Sequence, residues 1–463
     1  MAGGLLQLVA YGVQDTFLSS NPQVTFFKLV YRRHTNFAME SIRQPFNSDP
    51  DFGRRVTCEI PRHGDLIHRM YLQVTLPKLE NYATQYDNSI PPKPIESTIQ
   101  NYKWARRVGL ALIKTVDIEI GGQLIDRQYG EWMYIWNELS LHKNKLDGYN
   151  KMIGYSIPPE DVSTFDKIPY PESPETKLFI PLEFWFCQNH GLALPLIALQ
   201  YDGVKINIEF RNLNELHREN TFNKIQNNYK IPSNKKLGET VLWIDYIFLD
   251  VDERRRFSQS KHEYLIEQVQ ANGEEKIDAD LVNVSITLKF TNPVKEIFWV
   301  FQYEENIETN QWFNYTNNND IFNYKCASIM KKAKLQLNGN DRFSEREAEY
   351  FTLIQPFQHH TNIPSSSGIH VYSFALKPEE HQPSGSLNFS RLDSVVMKME
   401  IDNRGFKPDT ILNGAIQYIT DTWGNEISSN PCTYNRASRV RFYAKNYNVL
   451  RIMSGTAGLA YAV

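Results

Sequence analysis

A weak internal repeat constrains this chain more than any other feature. Val116-Asp-Ile-Glu-Ile-Gly-Gly122 is followed by Asp126-Arg127 and a helical stretch, and Ala333-Lys-Leu-Gln-Leu-Asn-Gly339 by Asp341-Arg342 and another helical stretch. The two segments lie about half a chain apart. Each half thus carries a strand, a turn with Gly, an Asp-Arg pair and a helix in the same order. A duplication of this kind predicts two similar domains rather than one large one. The length of 463 residues agrees, since single cores stop growing well below it.

Period-two alternation dominates the rest. Val116, Ile118 and Ile120 alternate with polar residues, as do Val204, Ile206, Ile208 and Phe210. The pattern returns at Val282–Phe290, at Val395–Ile401 and at Val440–Ala444. Alternate side chains of a strand face opposite ways, so each run has a core face and a wetter face. Many such runs separated by turns and long loops predict an all-β chain of sandwiches.

Helical signals are few. One covers Tyr129 to Leu146, and another Phe343 to Ile354, opening on Ser344 and Glu347 with the spacing of a capping box. A third is N-terminal, where Leu5, Val9, Val13 and Phe17 fall at four-residue steps. Long loops are expected at Glu80–Gln100, Asp147–Lys177, Asn212–Gly238 and Asn306–Asp320. The boundary between domains is expected in the polar, turn-prone stretch from Phe257 to Asp280.

Charge and cysteine usage narrow the function. With 50 basic and 53 acidic residues the net charge is −3, whereas proteins that coat nucleic acid carry a basic excess. Direct, specific nucleic-acid binding is therefore not expected. Aromatics reach 13%, which suits pleated sheets and large protein interfaces. Cys58, Cys187, Cys326 and Cys432 are too far apart for a zinc or redox motif and read as buried, reduced thiols. The N-terminus lacks a basic region and a long apolar run, so synthesis in the cytoplasm is expected.

The search for chemistry finds no catalytic residue, no cofactor site and no metal site. Ser384-Gly-Ser386 and Ser454-Gly455 lack the nucleophile elbow, and Gly121-Gly122 reads as a hairpin turn. Asp250 and Asp252 look like a metal pair but also like a strand end facing water. His359, His360, His370 and His381 match no zinc spacing and read as loop or surface histidines. His63 and His68, flanking Asp65, read as a turn between strands. Arg32-Arg33 and Arg254-Arg255-Arg256 are short clusters that read as solvated surface or intersubunit ion pairs. The sequons at Asn283, Asn314 and Asn388 are not expected to be modified outside the secretory pathway.

Three segments carry a resemblance. The first runs from Gly4 through Gly12 and Asp15 to Asn21-Pro22 and Lys28. The second is Gln382–Asp393, with Pro383, Gly385, Asn388, Phe389, Arg391 and Asp393. The third is Lys445–Tyr461, with Asn446, Tyr447, Asn448 and Gly455. In this order they resemble the major capsid proteins of nucleocytoplasmic large DNA viruses. The resemblance implies two consecutive eight-stranded jelly rolls with a few short helices and long loop insertions.

It further implies a homotrimer with six similar lobes, a capsomer that packs against neighbouring capsomers in an icosahedral shell of the virion. Residues 1–30 would be an inner-face segment meeting minor capsid proteins or an internal membrane. Residues 31–257 would be the first roll, 258–280 a linker and 281–463 the second roll. The motif residues are expected to fix local structure, with Pro383 and Gly385 shaping the turn before a Leu387–Phe389 strand.

Two other readings compete. A carbohydrate-binding or carbohydrate-cleaving jelly roll would need exposed aromatics and a carboxylate pair. Trp185, Trp243, Trp299 and Trp312 could stack sugars, although the first three lie in apolar strand patterns and read as core. A minor or vertex capsid protein would need only one roll, and the duplication argues against it.

Overall fold

The computed structural model describes residues 3–79, 82–83, 99–100, 102–155, 173–219, 235–317, 328–365, 368–406, 419–420, 426–427 and 433–461. Its alternating runs are strands. The first roll contains β1 (Phe37–Gln44), β2 (Arg55–Glu59), β3 (Leu66–Leu76), β4 (Ile113–Ile120), β5 (Gln123–Tyr129), β6 (Thr176–Pro181), β7 (Val204–Phe210) and β8 (Thr240–Leu249). The second contains β9 (His262–Ile277), β10 (Asn283–Thr287), β11 (Pro293–Tyr303), β12 (Met330–Leu337), β13 (Asn340–Asp341), β14 (Ile369–Ser373), β15 (Val395–Ile401) and β16 (Ser438–Met453). A further strand, β17 (Thr456–Leu459), folds back on β16.

The first roll stacks a sheet ordered β1-β8-β3-β6 on one ordered β2-β7-β4-β5. The second stacks β9-β16-β11-β14 on β10-β15-β12-β13. Adding eight to every strand number turns the first order into the second, so the repeat in the sequence is a repeat of topology. Both orders are those of a jelly roll. The turn between β4 and β5 is Gly121-Gly122, with φ of 59° and 82°, and its counterpart between β12 and β13 is Asn338-Gly339, with 47° and 83°. Two consecutive left-handed residues make the tight hairpin whose twist matches its strands, which is why Gly and Asn recur there.

Alternation selects the cores. Met70, Leu72 and Val74 of β3 meet Val116, Ile118 and Ile120 of β4 and Ile206 and Ile208 of β7 in the first roll. In the second, Ile297, Trp299 and Phe301 of β11 meet Ala333, Leu335, Met397, Met399, Val440 and Phe442. Trp185 and Trp299 are buried, as are Cys58 and Cys187. Trp243, expected in the core, instead sits half-buried on the outer face of β8, because the run Val241–Ile244 is apolar on both faces. Cys326 and Cys432 lie outside the described residues.

Several sequence expectations are corrected. The stretch 258–280 is not a linker: it holds the sixteen residues of β9, bonded to β16 along its length. The chain passes between the rolls through the helix Val251–Gln259, whose N-cap is Asp250, its carboxylate accepting from the Val251 N–H at 2.7 Å. Asp250 is thus a cap rather than a strand end. The helix expected over Tyr129–Leu146 is two, Gly130–Ser140 and Lys143–Ile153. Ser344 and Glu347 form no capping box, since Arg346–Glu347 pairs with β12 and helical structure begins after it, as Tyr350–Ile354 and Gln355–His359.

Residues 3–37 belong to a separate compact unit. The single amphipathic helix expected there is broken into Gly3–Val9, a tight turn Val13–Asp15 and Thr16–Ser19. Gly12 is extended, and its N–H donates to Asp15 Oδ2 at 2.8 Å. A short carboxylate capturing a nearby N–H offers the backbone an alternative to the helical ladder.

Candidate functional site at the junction of the rolls

The helix Gly130–Ser140 follows β5 directly and is buried on nearly every side, as a helix between two packed bodies must be. Its Trp132 ring lies 5.0 Å from Phe298 of β11 and 6.0 Å from Tyr443 of β16. Trp136 takes the Lys445 ammonium over its face at 3.6 Å, a favourable position for a cation stripped of water. Glu131 accepts from Arg441 Nη1 at 2.6 Å, from the Tyr443 hydroxyl at 2.5 Å and from the Tyr315 hydroxyl at 2.8 Å. A carboxylate buried with three charge-assisted or hydroxyl donors is the geometry in which such burial is tolerated.

Beside the helix, the edges of β5 and β9 are stitched by side chains. The Val269 N–H donates to Asp126 Oδ1 at 3.0 Å, and Gln268 Nε2 donates to the Ile125 carbonyl. Gln268 Oε1 in turn accepts from Asn448 Nδ2 at 2.9 Å and Asn446 Nδ2 at 3.4 Å. Burial pushes the Asp126 carboxyl up to about 7.

A buried ion cluster continues the junction. Glu267 bridges Lys295 at 2.5 Å and Lys445 at 2.7 Å. Burial pushes the Lys295 ammonium down to about 8, with Lys445 adding to the effect. His360 lies between Glu296, at 3.2 Å, and Glu379, at 3.1 Å. Burial opposes its charge, but the two carboxylates prevail and hold it at about 9. His370 is buried against Trp299, and burial lowers it to about 4. His360 and His370 are therefore interior groups, not the surface histidines expected, because partners distant in sequence enclose them.

The C-terminal motif crosses this junction. Asn446 and Asn448 hold Gln268, and Tyr447 packs beside the Lys295 ammonium, 5.3 Å from its ring centre. Gly455 shapes the hairpin from β16 to β17 at φ 83°, and its carbonyl accepts from the Tyr201 N–H of the first roll at 3.0 Å. The Ala457 N–H donates to Asp202 Oδ2 at 2.7 Å. The hairpin of the second roll is thereby latched to a loop of the first.

The second motif lies elsewhere on the second roll. Gly385 has φ of 140° and approaches the Phe374 carbonyl so closely that a Cβ would lie 2.6 Å from it. Pro383 precedes it on the surface. The strand that follows is Leu387–Asn388, shorter than expected; Asn388 then caps the turn Phe389–Arg391 by accepting from the Ser390 N–H at 3.0 Å. Phe389 is buried against Phe290 and Phe374. Arg391 is exposed, and the Asp393 N–H donates to Asn338 at 3.0 Å. In the N-terminal unit, Gly12 and Asp15 make the turn described above, and Asn21 adopts a left-handed φ of 51° just before Pro22. Of the two motifs on the second roll, the C-terminal one meets the junction and the Gln382–Asp393 one does not.

Arg254 pairs with Asp65 at 3.1 Å within the chain, and Trp312 lies under the Arg211 guanidinium at 4.0 Å. Among the described residues no group of His, Cys, Asp and Glu is arranged to hold a metal. A cavity of about 360 Å³ beside the junction is lined in part by Trp185, Asn189, Glu267, Glu379 and His381. Its two innermost carboxylates are committed, Glu267 to two lysines and Glu379 to His360 and Thr361. Glu131 and Gln268 are not legible as junction residues, because the Tyr443 hydroxyl and the Ile125 carbonyl that they reach lie in the other roll. Glu267 is hidden for a related reason, since Lys295 and Lys445 come to it only in the folded second roll.

Comparison with known proteins accounts for this architecture. Residues 25–250 match the family described as major capsid protein N-terminus, and residues 253–458 match the large eukaryotic DNA virus major capsid protein. The chain is 42% identical to the major capsid protein of Pyramimonas orientalis virus and 41% identical to that of Phaeocystis pouchetii virus, with 100% of each chain covered. The quasi-atomic model of the PBCV-1 virus capsid superposes with a TM-score of 0.72 at 32% identity, covering 95% of this chain and 100% of that one. This chain belongs to the major capsid protein family of large eukaryotic DNA viruses.

Proposed function

We propose that the chain is the major structural subunit of an icosahedral outer shell, working as a homotrimeric, pseudo-hexagonal capsomer. As a major capsid protein it is a structural molecule rather than an enzyme, and it builds the virion capsid of a large double-stranded DNA virus with other capsid subunits. The observation that carries the finer reading is the identical strand order of two rolls joined by a buried polar junction. Three such chains present six similar lobes at fixed angles, a shape suited to a near-hexagonal lattice.

The N-terminal unit serves, in this reading, as the inner-face contact with minor capsid proteins or an internal membrane. Phe26, Phe27, Leu29 and Val30 are all strongly exposed, an apolar run that needs a partner. The net charge of −3 argues against a direct, specific hold on the genome. The motif residues act structurally, and the two rolls divide at the helix Val251–Gln259. Synthesis takes place in the host cytoplasm.

Light scattering on the purified chain tests the trimer against the 54.0 kDa subunit. A mass near three subunits that persists on dilution is expected. A monomer at every concentration overturns the capsomer reading.

A further inference from the structure

The duplicated fold pairs two unlike surfaces once inside the chain and, among the described residues, leaves the equivalent pair uncovered. The inner pair is the helix Gly130–Ser140 of the first roll on the outer face of the β9-β16-β11-β14 sheet. There Phe298 of β11 stands opposite Tyr443 of β16 and Val371 of β14. Phe298, Tyr443 and Val371 belong to the apolar cluster that holds Trp132, whereas their neighbours Ile297 and Trp299 face the second roll's own core.

The same position in the first roll is aromatic too. β3 and β11 are both eleven residues long, and Tyr71 occupies the place in β3 that Phe298 occupies in β11. Both stand between core-facing neighbours, Met70 and Leu72 in one case, Ile297 and Trp299 in the other. Tyr71 is paired across the sheet with Trp243, as Phe298 is with Tyr443. Their rings stack at 6.1 Å, and Phe179 of β6 joins edge-on at 6.3 Å. All three remain half-buried, without the helix that covers their counterparts.

Among the described residues, the helix equivalent to Gly130–Ser140 is equally unpaired. Tyr350–Ile354 and Gln355–His359 follow β13 as Gly130–Ser140 follows β5. Phe351 turns inward onto Trp299 at 5.1 Å. Leu353, Ile354 and Phe357 turn outward, joined by Leu376, whose carbonyl lies 3.0 Å from His359 Nδ1. Phe357 is 76% exposed and Leu376 73%, a concentration of large apolar side chains that isolated surface residues do not make.

We propose that the second roll's outer patch, Leu353, Ile354, Phe357 and Leu376, docks on the Tyr71–Trp243–Phe179 face of the first roll of another copy. The contact repeats between chains the relation that joins the rolls within one. It is heterologous, patch to unlike face, so it is not a twofold contact and closes a ring when three copies complete the rotation. The proposal rests on the trimer reading above and names the surfaces that close it.

The test uses the full chain with p-benzoylphenylalanine in place of Phe357, a substitution that keeps the ring. Irradiation is expected to give a ladder ending at three chains, with adducts in β3, β6 or β8 of a second copy. Phe357→Glu, Leu376→Glu and Trp243→Glu are each expected to lower the scattering mass from near three chains to near one, with the thermal transition unchanged. Adducts mapping elsewhere, or glutamate variants that stay trimeric, overturn the surface assignment while leaving the trimer intact. A wild-type chain that is monomeric at every concentration overturns both the assignment and the assembly reading beneath it.

Discussion

The Tyr443 hydroxyl donates to Glu131 Oε2 at 2.5 Å, joining a strand of the second roll to a helix of the first across 312 residues of chain. The same carboxylate faces the largely buried Arg441. Neutralising it leaves a buried guanidinium with the more distant Glu274, at 3.5 Å, as its anionic partner among the described residues. Glu131→Gln is therefore expected to cost about 2–3 kcal/mol. Urea unfolding of the purified chain checks this, and an unchanged midpoint would show that the contact does not carry stability.

His360 gives the junction a dependence on alkaline pH. Its folded value is about 9 against an ordinary 6.5, so its contribution is complete below about 6.5 and is lost as pH rises through 9. The linkage amounts to something on the order of 3 kcal/mol. Lys295, pushed down to about 8, works in the opposite sense above that pH, so the reading is the difference between variants: the wild type's advantage over His360→Gln in melting curves should shrink between pH 6.5 and 9.5. Parallel curves would remove His360 as the cause.

What could be read in advance is what depends on neighbours in sequence. Alternation at Val204–Phe210 and Val395–Ile401 names strands because the core face repeats every second residue. Gly121-Gly122 and Asn338-Gly339 name hairpins because few residues accept a positive φ. The sequence of β9 reads as a linker because Glu274, Glu275 and Lys276 make its end polar; pairing with β16, far along the chain, makes it a strand. His360 looked like a surface residue for the same reason, since Glu296 and Glu379 reach it only in the folded chain. Trp243 failed differently: with Leu242 and Ile244 on either side, alternation cannot say which face is inward.

The latch between rolls can be tested by adding one methyl group at each of two glycines with nearly the same backbone. Gly122 has φ of 82° with open space around it, whereas a Cβ on Gly455, at φ 83°, would lie 2.6 Å from the Tyr201 ring. Gly122→Ala should cost only the left-handed backbone penalty, about 1–2 kcal/mol. Gly455→Ala should cost more and should speed hydrogen exchange at the Ala457 amide, which is held by Asp202. Equal costs and unchanged exchange would mean that the hairpin is not held against Tyr201.

Trp132 connects the two rolls as mechanical parts, since its ring leaves the first roll and lies against Phe298 and Tyr443 of the second. Trp132→Ala removes a large buried ring and is expected to destabilise the chain by about 3–5 kcal/mol. The more telling outcome is cooperativity. Each roll has its own sandwich core, so weakening the junction should split one calorimetric transition into two. Met397→Ala removes bulk from the second core without touching the junction, and should lower the transition it belongs to without splitting it. If Trp132→Ala instead shifts a single sharp transition, the rolls fold as one unit through other contacts. The Glu131 and Gln268 bonds would then be the next to cut.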